Sequence, residues 1–199
     1  MNKKWTDEEL NQAFRMPRAR TITFRTSTVT NAFASAMLPF FQPKTAEISE
    51  VLKILGMNPS DLHCAYCGDK ATEWEHLHPI VKERFPTGYP SSIRNFVPSC
   101  GKCNQSKGGK EWRDWITSDA PLSPKSRKIA DLDKRISRLE RYEKWANCRQ
   151  LPLVNIVGED AYKEYFGKLD HIISQMKEAQ TMADILKAKI SEATMADGR

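Results

Sequence analysis

One short segment of the chain, EWEHLHPI at residues 73–80, places two acids, two histidines and a tryptophan around a proline. An imidazole has an ordinary pKa of about 6.5, so near neutral pH it is largely uncharged and can take a proton from water. A neighbouring carboxylate can bind a hard divalent cation, which stabilises negative charge during hydrolysis. Glu75 and His76 are therefore candidate groups for metal-assisted hydrolysis.

Five cysteines are present, and four of them form the pairs CAYC (Cys64, Cys67) and CGKC (Cys100, Cys103). In a reducing compartment, paired CxxC motifs are more often metal sites than disulfides. Four thiolates suit one tetrahedral Zn²⁺, and a closed shell of four sulfurs leaves no open position for catalysis. We expect a structural zinc here. Four unlinked free cysteines are the alternative, and His63 is a possible competing ligand.

The order of these motifs resembles the HNH endonuclease family. The resemblance rests on EHLHP at residues 75–79, on Asn95, and on CGKCNQSK at residues 100–107, and it covers about residues 62–116. Members share a ββα-metal fold, and many add two CxxC pairs as a zinc staple. The resemblance implies an α+β fold: a small zinc-stapled nuclease core, flanked by N-terminal helices with a basic arm and by a C-terminal helical region.

The resemblance also implies roles for individual residues. Glu75 becomes the first ligand of a catalytic metal, His76 the general base, and Asn95 the residue that orients the base. Asn104 becomes the second metal ligand, and Lys107 follows it in the motif. Many members have aspartate and histidine where this chain has Glu75 and Asn104. A carboxylate with an amide oxygen favours Mg²⁺ or Mn²⁺ over softer metals.

The net charge of +6 is unevenly distributed, because residues 10–46 and 85–110 contain no acid. Two such basic stretches are typical of a surface that binds a polyanion such as nucleic acid. Positively charged faces kept for solubility are the alternative. The first stretch also contains Arg15 and Lys44. The candidate DNA-binding residues are Arg18, Arg20, Arg25, Arg94, Lys107 and Lys110.

The chain divides into three predicted regions: residues 1–58, 59–120 and 121–199. The first region contains a helix opened by a capping box of Thr6 and Glu9, an extended arm at residues 18–30, and a helix at residues 45–55 that stops at Gly56. The last region shows two helical apolar stripes, at residues 129–145 and 162–190. A helical hairpin packed on the middle region is favoured over a dimer arm.

The middle region must bring the motif residues together. Residues 71–81 and 95–100 are predicted strands, residues 82–94 a loop, and residues 104–119 a helix. Adjacent residues on a regular strand face opposite sides, so the first strand must twist or end at His76 for both candidates to share a site.

Several side chains near the motifs have less direct assignments. Trp74, Trp112 and Trp115 are expected in the core rather than as a platform for stacked bases. His78 is expected as a surface residue rather than as a phosphate contact. Cys148 is expected to be inert.

These observations favour a metal-dependent DNA endonuclease of restriction type that cuts double-stranded DNA at a short site. One alternative is a zinc-stapled nucleic-acid-binding module without catalysis, and another is a homing, phage or defence HNH nickase. RNA as the substrate stays open. The expected cofactors are structural Zn²⁺ and catalytic Mg²⁺ or Mn²⁺.

One site holds one scissile phosphate and the motif is not repeated, so cutting both strands predicts a homodimer. The chain has no apolar run long enough for a membrane span and no signal peptide, so we expect a cytoplasmic protein without a membrane partner.

Overall fold

The computed structural model describes residues 4–14 and 16–196 and shows a mixed α+β fold, as predicted. The N-terminal part contains α1 (Asp7–Ala13), a 3₁₀ turn (Ile22–Arg25), α2 (Thr26–Met37) and α3 (Thr45–Leu55). The central part contains β1 (Glu73–His76), β2 (Val81–Lys82), β3 (Phe85–Pro86), β4 (Phe96–Ser99), α4 (Gly101–Lys107) and α5 (Trp112–Ile116). The C-terminal part contains α6 (Leu132–Ala146), α7 (Leu153–Val157) and α8 (Glu159–Ala196).

The described residues group into two compact units. Ser27–Leu169 form the larger unit, which contains both cysteine pairs and the EWEHLHPI segment. The described residues up to Thr26 and those from Asp170 onward form the smaller unit, in which the backbone N–H of Ile22 donates to Oε1 of Gln180 at 2.7 Å. The division at residues 58 and 120 stays a prediction. No helix in the described part of the chain is both long enough and apolar enough to cross a membrane.

The N-terminal helices begin and end largely as predicted. The hydroxyl of Thr6 accepts from the backbone of Glu9 at 3.2 Å, and the Glu9 carboxylate accepts from the backbone of Thr6 at 2.8 Å. Helix α3 ends at Gly56, whose φ of 67° is left-handed, as the predicted stop requires. The extended arm predicted at residues 18–30 is wrong. Its second half forms the 3₁₀ turn and the start of α2, because burying Thr30 and Ala34 on one helical face outweighs the strand propensity of the threonines.

The two predicted central strands pair as an antiparallel ladder. In β1 and β4, Glu73 lies opposite Ser99, Glu75 opposite Val97, and His76 opposite Phe96. Strand β1 ends at His76, which is the early end that the candidate pair required. Strands β2 and β3 form a small hairpin that begins at Val81, the last residue of the predicted first strand, and otherwise lies within the predicted loop at residues 82–94.

The helix predicted at residues 104–119 is two helices, α4 and α5. Gly108 interrupts it with a φ of 50°, a conformation that favours glycine. The side chains of Trp112 and Trp115 are buried, as expected. Trp74 is 52 % exposed, so its predicted core position is wrong: it lies on the open side of a ladder that has only two strands.

Helix α6 is part of the packed core, as the first apolar stripe predicted. It packs against α3, and its buried Leu139 and Tyr142 join the core around Trp112 and Val97. The hydroxyl of Tyr142 lies 2.7 Å from the backbone oxygen of Ile93 and 2.9 Å from that of Phe96. A helix outside the motif region therefore holds the start of β4.

Candidate active site and zinc centre

The four paired cysteines converge on one buried cluster. Their sulfur atoms all lie within 4.8 Å of one another, and the sulfurs of Cys67 and Cys100 are 3.6 Å apart. Zn–S bonds of about 2.3 Å in a tetrahedron place sulfurs about 3.8 Å apart, so the cluster fits one structural zinc ion. His63 does not join it: its ring is 46 % exposed and lies 2.9 Å from Asp61.

The local backbone explains how each cysteine pair reaches the cluster. In the first pair, the N–H of Gly68 donates to the oxygen of Cys64 at 2.9 Å, and the φ of Gly68 is 85°. This tight turn favours glycine because of its φ, and the guanidinium of Arg135 occupies the space that a Cβ would take. In the second pair, Cys100 is the N-cap of α4 and Cys103 lies in its first turn.

A cation lies beside the sulfurs. A guanidinium nitrogen of Arg127 lies 3.5 Å from the sulfur of Cys103, and another donates to Asp69 at 2.8 Å. A four-thiolate zinc site carries a net negative charge, which an adjacent guanidinium partly neutralises. Arg127 follows the motif region, and no sequence pattern marked it as a partner of the cluster.

The EWEHLHPI segment and α4 line one open cleft of about 300 Å³. Three of the predicted functional residues, Glu75, His76 and Asn104, line it together. We call it the β1–α4 cleft, and its lining consists of Asn31, Ser35, Glu75, His76, Pro79, Ile80, Val81, Asn104, Gly108 and Gly109. Asn31 and Ser35 belong to α2, which the sequence did not predict as a helix.

Glu75 and Lys107 form a buried ion pair behind the cleft. The ammonium of Lys107 has no exposed surface and lies 2.8 Å from Oε1 of Glu75 and 2.8 Å from the backbone oxygen of His76. Burial raises the pKa of Glu75 and lowers that of Lys107, and the attraction between the two charges opposes both shifts. A buried ammonium does not suit the DNA contact predicted for Lys107. Its charge is instead paired with the Glu75 carboxylate.

His76 lies at the end of β1 with its ring partly buried against Phe96, at a centroid distance of 4.3 Å. Its Nε2 is 2.9 Å from the hydroxyl of Ser91. Burial, with a smaller contribution from Lys107, lowers the pKa of His76 to about 4. The imidazole is therefore neutral near neutral pH, the state that a general base needs.

Asn95 acts on the backbone next to His76 rather than on its ring. The amide of Asn95 accepts from the N–H of His78 at 2.8 Å and donates to the oxygen of His78 at 3.1 Å. Its backbone oxygen accepts from Leu77 at 2.8 Å. The side chain within hydrogen-bonding distance of the His76 ring is that of Ser91, which no motif singled out, and not that of the expected Asn95. Asn95 fixes the bend after β1.

Asn104 faces β1 from the second turn of α4. Its amide nitrogen donates to Oε2 of Glu73 in a short hydrogen bond. Sequence reasoning missed Glu73, although its spacing of two from Glu75 on a strand predicts the same face.

His78 is not the surface residue predicted. Its side chain is 13 % exposed and stacks on Tyr89 at a centroid distance of 4.5 Å. Its two ring nitrogens face Glu111 at 3.7 Å and Glu143 at 3.4 Å. The contact with Glu143 joins the loop after β1 to α6.

The remaining DNA-binding candidates lie in different settings. Arg18, Arg20 and Arg25 are exposed and belong to the smaller unit, whereas Arg15 lies outside the described residues. Arg94 is partly used by the fold, since it contacts Glu47 at 3.3 Å and stacks on the Trp145 ring at 4.9 Å. Lys110 is exposed, and its ammonium donates to the backbone oxygen of Ser106 at 2.9 Å.

Comparison with known families agrees with this geometry. Residues 64–110 match the family model described as HNH endonuclease. The comparisons with curated proteins and with solved structures found no match. The matched segment runs from the first cysteine of the cluster to Lys110 and includes the predicted ligands and base. Residues 64–110 are therefore similar to an HNH endonuclease domain, and all four clustered cysteines lie within this segment.

Removing one cysteine should remove the metal and unfold the HNH domain. We expect metal-replete protein to contain one zinc per chain. Cys100→Ala should lose that zinc and the domain's cooperative unfolding transition, because a structural zinc contributes on the order of 10 kcal/mol to folding. Elemental analysis and circular dichroism measure both quantities. Cys148→Ala is the matched control and should keep its zinc. Zinc-free wild-type protein from metal-replete medium would contradict the assignment.

Breaking the buried ion pair should destabilise the domain strongly. Lys107→Met leaves the Glu75 carboxylate buried without its cation, which costs about 3–5 kcal/mol. Chemical denaturation should show this loss. It should also show that adding Glu75→Gln restores most of the stability, since no unpaired charge remains. Lys110→Met, at an exposed site, should change little. A Lys107→Met variant as stable as wild type would show that the pair is not buried in solution.

Proposed function

We propose that this protein is a metal-dependent endonuclease that hydrolyses phosphodiester bonds in double-stranded DNA, acting as a restriction-type enzyme at a short site. The observation that supports this best is the convergence of Glu75, His76 and Asn104 on one open cleft. A carboxylate, a neutral imidazole and an amide oxygen are the groups that metal-assisted phosphodiester hydrolysis requires. They reach the cleft from β1 and α4, and the cysteine cluster holds the start of α4 to the turn at residues 64–67 that precedes β1.

The donor set fits a hard divalent cation. Glu75 uses Oε1 for Lys107, which leaves Oε2 as its ligand atom, and Asn104 offers its amide oxygen. One carboxylate with one amide suits Mg²⁺ or Mn²⁺, which keep several waters. A bound cation would supply charge stabilisation at the scissile phosphate and at the leaving oxygen.

His76 is the residue that would take the proton from the attacking water. In the tautomer whose Nε2–H donates to the hydroxyl of Ser91, Nδ1 carries the lone pair that acts as the base. The packing of the ring on Phe96 restricts its rotation, and Asn95 holds the following backbone. The protein thus fixes the position and the charge state of the base before substrate binds.

DNA binding would use exposed cations and the polar residues of the cleft. The candidates are Arg18, Arg20, Arg25 and Lys110, together with Asn31 and Ser35 at the cleft wall. A zinc-stapled binding module without catalysis is the second candidate function. That module would need the cysteines and the basic residues, but it would not need a neutral histidine beside a carboxylate in a cleft.

Replacing the base should abolish cleavage and spare the fold. His76→Ala should slow cleavage of plasmid DNA in Mg²⁺ or Mn²⁺ by about 100- to 10,000-fold, because it removes the proton acceptor but no metal ligand. A gel assay with and without EDTA measures the rate, and a filter or mobility-shift assay should show nearly unchanged DNA affinity. His171→Ala, at an exposed site on α8, is the control. Wild-type protein that binds DNA without cutting it would instead support the binding module.

Double-strand cutting should require two copies of the chain. Met182, Ile185, Leu186 and Ile190 are exposed on α8, whereas the 129–145 stripe contributes Leu139 and Tyr142 to the core. We therefore place the dimer contact on α8. Light scattering should show a homodimer on DNA, and Ile185→Glu should give monomers that only nick circular DNA. Lys187→Glu is the matched control. A monomeric wild type that produces only nicked circles would identify a nickase.

A further inference from the structure

We propose that Glu73 is a positioning residue that selects the orientation of the Asn104 amide, so that its oxygen faces the β1–α4 cleft. This inference rests on the proposed metal-dependent function and assigns a role to a carboxylate outside the predicted site. The observation behind it is the hydrogen bond from the Asn104 amide nitrogen to Oε2 of Glu73.

Two parallel contacts connect β1 to α4. Glu73 and Glu75 are two residues apart on a strand, so both face the helix. Asn104 and Lys107 are three residues apart on α4, so both face the strand. Glu73 contacts Asn104, and Glu75 contacts Lys107. The second contact is a buried ion pair that sets the distance between strand and helix, and this distance brings the first pair together.

An asparagine amide has two ends of similar shape and opposite hydrogen-bonding character. A carboxylate only accepts hydrogen bonds, so the NH₂ end of Asn104 must face Glu73. The oxygen end then points away from Glu73 and is free for a cation. Without this partner the amide can rotate, and half of its orientations present NH₂, which cannot bind a metal. An aspartate ligand would not have this ambiguity, because both of its terminal atoms are oxygens, so the need for a second acid follows from the asparagine.

Gly101 supports the same arrangement. Oε1 of Glu73 lies 3.1 Å from the position that a Cβ at residue 101 would occupy, which is closer than most Cβ contacts. Gly101 begins α4 and its φ is not positive, so its backbone does not require glycine. The missing side chain instead leaves room for the Glu73 carboxylate at the start of α4.

Mn²⁺ titration of the full zinc-loaded chain tests the proposal without depending on cleavage. Glu73→Ala should weaken Mn²⁺ binding by about tenfold, as loss of a ligand-orienting partner does. Glu73→Gln should stay within about threefold of wild type, because its amide oxygen can still accept from Asn104. Calorimetry measures the affinity. Equal losses in the two variants would show that the charge of Glu73 matters rather than its hydrogen bond, and would overturn the proposal.

The Asn104→Asp background gives a sharper test. Both terminal atoms of an aspartate are oxygens, so its side chain needs no partner to select an orientation. We expect Glu73→Ala to weaken Mn²⁺ binding by about tenfold in the wild-type background but not in the Asn104→Asp background. An equal tenfold loss in both backgrounds would show that Glu73 attracts the cation through its charge, and would refute the positioning role.

Controls separate this inference from the proposed function. Glu50→Ala removes an exposed acid from α3 and should leave Mn²⁺ affinity unchanged. Zinc content and thermal unfolding should match wild type in each Glu73 variant. Cleavage by Glu73→Ala should recover at saturating Mn²⁺, whereas His76→Ala stays inactive. If the wild type neither binds Mn²⁺ nor cuts DNA, both proposals are refuted. If the wild type does both and Glu73→Ala binds Mn²⁺ with wild-type affinity, only the positioning role of Glu73 is refuted.

Discussion

The junction between β4 and α4 is the constraint on which the site depends. Cys100 and Cys103 lie at that junction, and their sulfurs meet those of the first pair in one cluster. Two paired strands of four residues each cannot hold a domain together by themselves. Because the cluster anchors the start of α4, the face of that helix bearing Asn104 and Lys107 is held against β1. The zinc site thus positions the α4 side of the cleft, although a closed shell of four thiolates does no chemistry.

The two acids of β1, Glu73 and Glu75, have different surroundings. Glu75 is nearly buried and pairs with Lys107, whose side chain has no exposed surface. This buried ion pair fixes the position of the Glu75 carboxylate. Glu73 is exposed and contacts a neutral amide. One carboxylate is thus held by a buried ion pair, while the other contacts the Asn104 amide at the surface. Both are alternate residues on one short strand.

Elements outside the HNH match complete the cleft and its support. Helix α2 adds Asn31 and Ser35 to the lining, and α6 holds the start of β4 through the hydroxyl of Tyr142. The larger compact unit, Ser27–Leu169, extends beyond the matched segment at both ends. A small zinc-bound core buries little apolar surface, so packing α3 and α6 on it adds stability that the core lacks.

The sequence by itself determined the residues whose chemistry is local: the CxxC pairs, the Glu75–His76 dipeptide, the capping box at Thr6 and the stop at Gly56. These signals need only spacing and side-chain type. It did not determine that Lys107 is buried, that Ser91 rather than Asn95 contacts the His76 ring, or that residues 26–37 form a helix. Each of these depends on contacts between segments far apart in the chain, because burial and partner choice are set when β1, α4 and α6 pack together. Tertiary structure alone decided them.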